Sequence, residues 1–253
     1  MAVMSDETPL VLKCTTAPGQ LERAHLEIDL YRSGELHGLA PSLAASAFAG
    51  GWAAIATSQC TPLPSSDRIS PDTWMEVCAS LADIHGRTPR NQNLKPRQRV
   101  QDSTKHQDFA PWRELNSGEI VMQGVELLRE PRPWLTPPGL QHGDAHVENG
   151  LRAYDGRIVW VDWQEANLGD GVSDLVFCWQ RAEFAGGNPP REAMTAAYAR
   201  ARKLDPHALR TAIAWAELQL LVHSWPPFLQ YGTPQAREFM RTRLEVLVTE
   251  LAD

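Results

Sequence analysis

Asp144, Asn149 and Asp162 are the side chains in this sequence best suited, by type and spacing, to do chemistry together. They stand in the run His142-Gly-Asp-Ala-His-Val-Glu-Asn149-Gly-Leu-Arg-Ala-Tyr-Asp-Gly-Arg-Ile-Val-Trp-Val-Asp162-Trp163. Carboxylate and amide oxygens are hard donors that suit a hard divalent cation. In phosphoryl transfer one aspartate orients or deprotonates an acceptor hydroxyl, while an amide and a second carboxylate hold the metal that bridges the nucleotide phosphates. The spacing fits that division of labour. Runs 150–153 and 157–161 read as strands around Tyr154-Asp155-Gly156, and Asp-Gly is a strong hairpin turn signal. The hairpin returns Asn149 and Asp162 to one end, where both can face one metal. A His-Gly-Asp tripeptide or a lone aspartate carries little alone; the order of the four features carries the reading.

The surrounding elements follow from periodicity and punctuation. Residues 9–14 (Pro-Leu-Val-Leu-Lys-Cys) read as a strand ahead of Pro18-Gly19. Apolar Leu21, Ala24, Ile28 and Tyr31 predict a helix over 20–33, with Gly34 as its stop. Runs 43–48 and 52–57 flank Ala49-Gly50-Gly51 as a hairpin. Together these make a small α+β unit, whose last strand runs into Ser58-Gln59-Cys60. A linker-like Thr61-Pro-Leu-Pro-Ser-Ser-Asp follows. Ser70-Pro71 opens a helix with an apolar face of Trp74, Val77, Cys78, Leu81 and Ile84. Residues 86–116 lack apolar periodicity and predict an irregular loop, 117–129 a helix, and the prolines at 131, 133, 137 and 138 an extended approach to His142. Beyond Asp174 the pattern is helical. Asp205-Pro206 and Thr233-Pro234 act as helix starts, and Phe239, Met240, Leu244, Leu247 and Leu251 line one side of the last helix.

Bulk properties exclude several classes. A chain of 253 residues, 43% apolar and 22% charged, has the composition of a globular protein large enough for one core or two lobes. No apolar run reaches the ~20 residues of a membrane span, and the first residues lack the pattern of a signal peptide. A cytoplasmic location is therefore expected, with no membrane partner. The scattered Cys14, Cys60, Cys78 and Cys178 predict reduced, mostly buried thiols. A net charge of -7 argues against nonspecific nucleic-acid binding and is compatible with a cationic substrate. The basic stretch 87–99 has no interleaved aromatics and reads as a solvated loop, and the tryptophans as packing residues. Oligomeric state is not legible.

The stretch 141–177 resembles the aminoglycoside phosphotransferase and choline kinase superfamily, small-molecule kinases with a protein-kinase-like fold. The resemblance rests on His-Gly-Asp, four residues, Asn149; on Val161-Asp162-Trp163; and on Leu168-Gly-Asp-Gly-Val-Ser-Asp174-Leu175. It implies an α+β, two-lobed fold, with a small, truncated, β-rich N-lobe over residues 1–60, ending in a hinge, and a mainly helical C-lobe over 61–253. It implies ATP (or GTP) and Mg2+ as cofactors and a small-molecule hydroxyl as acceptor, such as an aminoglycoside-like antibiotic or an amino-alcohol or sugar metabolite. Antibiotic resistance is one purpose it allows. Carried over by position, Asp144 is the catalytic aspartate, Asn149 and Asp162 the metal ligands, and Lys13 the strand lysine on the nucleotide phosphates. Glu27 is its helix partner, with Glu22 a competing candidate. His142 braces the loop and Asp174 bonds its backbone. His146 and Glu148 lie inside the loop and are expected to face solvent, with contact to substrate the alternative for either. Trp215, His223, Trp225 and Glu183 are candidates for the acceptor pocket, without assigned roles.

The superfamily fold begins with two strands joined by a loop over the phosphates. Ala2–Ser5 can supply part of the second strand, with a turn at residues 6–8, but nothing precedes it here to make the first. The expectation is a start upstream of the given one, or a fragment or degenerate copy with one exposed sheet edge. The alternative to an enzyme is a noncatalytic kinase-like binding protein.

Overall fold

The computed structural model describes residues 2–5, 8–96, 109–129 and 134–252. An antiparallel sheet in the order β1-β2-β4-β3 opens the chain, formed by β1 (Ala2–Ser5), β2 (Thr8–Thr15), β3 (Leu43–Ala49) and β4 (Trp52–Ser58). Ala2 pairs with Val11 and Ser5 with Thr8, so the expected partial strand exists; residues 6 and 7 of its turn lie outside the described residues. The β3–β4 turn holds Gly50 and Gly51 at φ 56° and 84°, the left-handed backbone that a two-residue hairpin loop requires. Helix α1 (Pro18–Arg32) covers the sheet, burying Ala24 and Ile28 against Ala53.

Beyond residues 59–60 the chain forms a mainly helical body. Part of the expected linker is instead ordered: β5 (Thr61–Pro62) pairs with β7 (Gly150–Arg152), and β7 with β8 (Ile158–Trp160). Pro62 is tolerated there because β5 is an edge strand. A further two-stranded sheet joins β6 (Gly139–Gln141) to β9 (Asn167–Gly169). Helix α2 (Pro71–Gly86) begins at Ser70, whose hydroxyl accepts the Thr73 N–H, and buries the five apolar residues expected of it. The expected irregular loop contains α3 (Ala110–Glu114), which is too short to produce a readable period. Its segment 97–108 lies outside the described residues.

The remaining helices are α4 (Gly118–Leu127), α5 (Val172–Phe184), α6 (Arg191–Arg202), α7 (Pro206–His223), α8 (Pro226–Leu229) and α9 (Pro234–Ala252). Asp205 accepts the Ala208 N–H at 2.7 Å and Thr233 the Ala236 N–H at 3.1 Å, so both predicted helix starts are real caps. Phe239 is a correction: it is 40% exposed, and α9 buries Ala236, Met240, Leu244, Leu247 and Val248 instead. Phe239 sits one residue, about 100° of rotation, off that stripe. Trp74, Trp112, Trp160, Trp163 and Trp179 are fully buried in one continuous core. Cys78 and Cys178 are buried, whereas Cys14 is exposed and Cys60 half-buried; all four are free thiols. Among the described residues no helix is long and apolar enough to cross a membrane.

Candidate active site

Strand β6 delivers the chain to the His142 loop, and β9 fixes the segment facing it. Gly143 has φ +84°, and a Cβ there would lie 2.0 Å from the Glu165 carbonyl oxygen, so only glycine fits. His142 is fully buried. The Asp144 N–H donates to its Nδ1 at 3.3 Å, so Nε2 carries the proton and donates to Val161 O at 2.9 Å. Burial pushes the His142 pKa down, against the pull of nearby carboxylates. Asp174 accepts the backbone N–H groups of His142 at 2.6 Å and Gly143 at 3.1 Å. The brace and the backbone support expected from sequence are both present.

Asp144 and Asn149 meet at one turn. A 3-10 turn over Val147–Asn149 lets the Asn149 amide nitrogen donate to Asp144 O at 3.0 Å and to Asp144 Oδ2 at 3.3 Å. Val161 N–H donates to Asn149 O at 3.0 Å, next to the Gly150–Trp160 pair of the hairpin. Asp162 is the next residue after Val161, so it lies at the same hairpin end as Asn149, as the sequence predicts. It adopts φ 65°, ψ 56°. For a non-glycine residue this left-handed backbone costs about 1–3 kcal/mol, which the surrounding structure must offset, and such strain concentrates at functional sites.

Lys13 lies in β2 opposite Ile55, and its Nζ reaches Glu27 Oε2 at 2.8 Å and Asp162 Oδ1 at 2.7 Å. The helix residue that pairs with it is buried Glu27, while the competing Glu22 is exposed. Glu27 Oε1 also accepts the Trp163 N–H at 3.2 Å. Burial disfavours the Lys13 charge, but Glu27 and Asp162 outweigh it and raise its pKa above the ordinary lysine value. Lys13, Glu27 and Asp162 thus form one bonded group and Asp144 and Asn149 another, tied together by the Val161–Asn149 backbone bond.

A magnesium ion fits this set. The Asp162 side chain is 45% exposed, and Asn149 uses its amide nitrogen toward Asp144, leaving the oxygen end as a cation donor. One or two protein oxygens, completed by water and phosphate oxygens, is the ligation Mg2+ favours. Among the described residues no group of three or more His, Cys, Asp or Glu gathers as a richer metal site.

His146 departs from expectation. Its side chain is only 17% exposed and bridges Asp144 Oδ2 at 3.5 Å and Glu148 Oε2 at 2.7 Å. Burial opposes its protonation, but the two carboxylates more than offset that and push its pKa up to about 9. On Asp144 burial acts upward, yet the bonds from His146 and Asn149 leave its pKa lowered. The available signal was a histidine two residues from a carboxylate on either side. From His146 an aromatic run leads away through Phe177 and Trp225 to Phe184 and Phe228, with ring centroids 6.2, 6.2, 4.7 and 6.4 Å apart in turn. Of the four acceptor-pocket candidates only Trp225 belongs to this run. Glu183 pairs with Arg191, Trp215 is buried in α7, and His223 ends that helix.

A sheet-and-helix unit whose lysine and glutamate clamp onto an Asn–Asp hairpin in a helical body is the architecture of a kinase-like two-lobed protein. The sequence pattern of the phosphotransferase enzyme family matches residues 3–221, and the chain belongs to that family. Its fold is similar to a thermostable mutant of aminoglycoside phosphotransferase APH(4)-Ia in ternary complex with ADP and hygromycin B (TM-score 0.62, 14% identity, 100% of this chain and 90% of that one). It is also similar to spectinomycin phosphotransferase APH(9)-Ia in complex with ADP and spectinomycin (TM-score 0.60, 15% identity, 99% and 87%). A third likeness is to macrolide 2′-phosphotransferase MphH from Brachybacterium faecium (TM-score 0.57, 19% identity, 94% and 84%). At these identities the likeness is one of fold. Among curated protein sequences none is similar enough to match.

Proposed function

We propose that this protein is a magnesium-dependent kinase that moves the γ-phosphoryl group of ATP (or GTP) to a hydroxyl of a small molecule. The observation that carries the reading is the junction at Asp162, bonded to Lys13 from the sheet and following Val161, whose N–H bonds Asn149 across the hairpin, while Asn149 itself touches Asp144. Residues 1–60 then serve the nucleotide and 61–253 the chemistry and the acceptor.

Asp144 holds the acceptor hydroxyl in line with the phosphoryl group and takes its proton late; a loose transition state rewards positioning over basicity. Its lowered pKa keeps it an acceptor at neutral pH. Lys13 neutralises nucleotide phosphates, and Glu27 holds the ammonium in place. Asn149 and Asp162 would hold Mg2+, which when bound neutralises charge on the phosphate oxygens. Phe177, half-buried and edge-on to His146, is the ring of this run nearest Asp144 and supports an apolar contact for the acceptor there. Such a contact suits a ring of an aminoglycoside-like antibiotic or another cyclic alcohol; the similar APH(4)-Ia is known in ternary complex with ADP and hygromycin B. A cytoplasmic location, where ATP is at hand and an antibiotic could be inactivated, fits this reading.

The test is magnesium-dependent phosphate transfer from ATP to a panel of aminoglycosides, other antibiotics, amino alcohols and sugars. Asp144→Asn should lose about 100-fold or more in kcat while keeping a cooperative melting transition. Turnover that ignores this substitution removes Asp144 from the chemistry, and nucleotide binding with no acceptor phosphorylated overturns the reading in favour of a noncatalytic kinase-like binding protein.

A further inference from the structure

Helices α6 and α7 flank a cavity of about 340 Å³ that shares no residue with the set around Asp144. Three cations line it: Arg200 in the last turn of α6, Lys203 just beyond that helix, and Arg210 in the second turn of α7. Among the described residues none of these three side chains has a hydrogen-bond or ion-pair partner. Glu192, in the first turn of α6, is the one carboxylate of the described lining, and it pairs with none of them. Thr195 also lines the cavity. It is only 8% exposed, and its hydroxyl has no partner among the described residues.

Folding alone does not account for this arrangement. A buried hydroxyl left without a partner forfeits a hydrogen bond. Arg200 and Lys203 are like charges three residues apart, a pair that disfavours a helix. The helix dipole welcomes cations at the last turn of α6, but it offers nothing to Arg210 near the start of α7. Lys203 carries a backbone cost as well. It stands at φ 55°, while the Leu204 N–H reaches Ala199 O at 2.9 Å and the Lys203 N–H reaches Arg200 O at 3.2 Å. That pair of bonds closes a helix end whose left-handed residue is usually glycine. In a chain of net charge -7, three unneutralised cations thus meet an unused hydroxyl at one recess. The volume suits a small molecule, for which sites of roughly 300–1,000 Å³ are usual. Guanidinium groups take phosphate and carboxylate oxygens through paired N–H donors. Glu192 lies eight residues before Arg200, roughly 12 Å along the helix axis. A carboxylate there repels an extended anionic surface and leaves the cationic end to a compact anion.

We infer that the cavity between α6 and α7 is a binding site for a compact, soluble anion of two or more charges, of the phosphate or polycarboxylate type. Arg200, Lys203 and Arg210 hold its oxygens, and the Thr195 hydroxyl donates to it from within the recess. The site stands apart from the phosphotransferase reading and does not depend on it.

The test titrates the full-length protein with pyrophosphate and with citrate, free of magnesium, while backbone amide signals are followed by NMR. The signals of Thr195, Lys203 and Leu204 should move and saturate, with a dissociation constant below about 1 mM for at least one of the two anions. A response to one anion alone supports the site and names its head group. Arg200→Gln and Arg210→Gln, both at exposed positions, should each weaken binding about tenfold or more, the value of a hydrogen bond between charged groups. Thr195→Val, which keeps the shape and loses the hydroxyl, should weaken it about threefold or more. Lys203→Gly should weaken binding yet raise Tm, because glycine adopts the left-handed backbone without strain. A lysine with only a structural part would change Tm and leave the affinity alone. Lys13→Met removes the cation that pyrophosphate would meet at the nucleotide site, and saturation at Thr195 and Lys203 should survive it. The inference is wrong if those amides stay still up to roughly 10 mM of both anions, or if both arginine variants keep wild-type affinity. Binding to vesicles of phosphatidic acid and phosphatidylcholine, with no response to either soluble anion, also overturns it and turns this face into a lipid contact.

Discussion

Glu27 has more partners than a lysine clamp needs. Its Oε2 accepts from Lys13 and from Gln164 Nε2 at 3.4 Å, and its Oε1 from the backbone N–H of Trp163. The two ends of the clamp should therefore fail differently. Lys13→Met removes a cation from the proposed phosphate site and should weaken nucleotide binding about tenfold or more, since a hydrogen bond to a charged group is worth about 1.5–3 kcal/mol. Glu27→Ala should weaken binding and also lower stability by about 1–3 kcal/mol, because the buried Trp163 N–H is left without its acceptor. Titration with a fluorescent nucleotide and thermal melts separate the two effects. Equal losses of stability in both variants would show that Glu27 serves only Lys13. Residues of this kind were legible because motif chemistry fixes spacing along the chain: Asp144, Asn149 and Asp162 sit on one hairpin, and Lys13 and Glu27 on a strand and the helix after it. His146 was missed because its partners are set by the local 3-10 turn, which no periodicity announces.

Helices α5, α6, α7 and α9 converge on one carboxylate, Glu217, which is completely buried. Arg191 donates to its Oε1 at 2.6 Å, Arg243 to its Oε2, and Trp179 Nε1–H to Oε1 at 3.4 Å. Arg191 also pairs with Glu183 and lies over the Trp179 ring, 5.2 Å from its centroid. Removing one member of such a buried set strands the others, a loss of about 3–5 kcal/mol. Glu217→Ala should thus be strongly destabilising in a denaturant titration, and a loss below about 1 kcal/mol would mean that the arginines find water instead. At the end of α7 burial depresses the His223 pKa to about 4 from 6.5. Between those values the unfolded chain binds a proton that the folded chain refuses, so stability should fall as pH drops from about 6.5 toward 4. His223→Gln should flatten that limb of the melting-temperature profile relative to wild type; an unchanged slope excludes His223 as its source. None of this inter-helix chemistry was visible in sequence, whereas the helices themselves were, because Ser70, Asp205 and Thr233 cap them in recognisable contexts. Strands β5, β6 and β9, of two or three residues each, escaped notice because alternation needs a longer run to register.

The two parts of the molecule are joined by polar bonds as well as by apolar packing. Lys13 meets Asp162, Glu27 meets the Trp163 N–H, Arg23 meets Glu165 at 2.5 Å, and the Trp160 N–H donates to Leu39 O at 2.8 Å. The apolar contact of α1 with the sheet forms a small cluster of its own, separate from the main core. A ligand that bridges Lys13 to the Asn149–Asp162 hairpin would add ties across the same seam, so binding should register as global stability. At 100 times its dissociation constant a nucleotide adds about 2.7 kcal/mol, or roughly 5–10 °C in Tm for a chain of this size. If Asn149 and Asp162 are the metal ligands, MgATP should raise Tm further than ATP with a chelator. Asp162→Asn should abolish the difference while keeping most of the metal-free shift, because Lys13 and Glu27 remain. A shift that is identical with and without magnesium, or a magnesium-dependent part that survives in Asp162→Asn, would remove this hairpin from metal binding and with it the basis for phosphoryl transfer at this site.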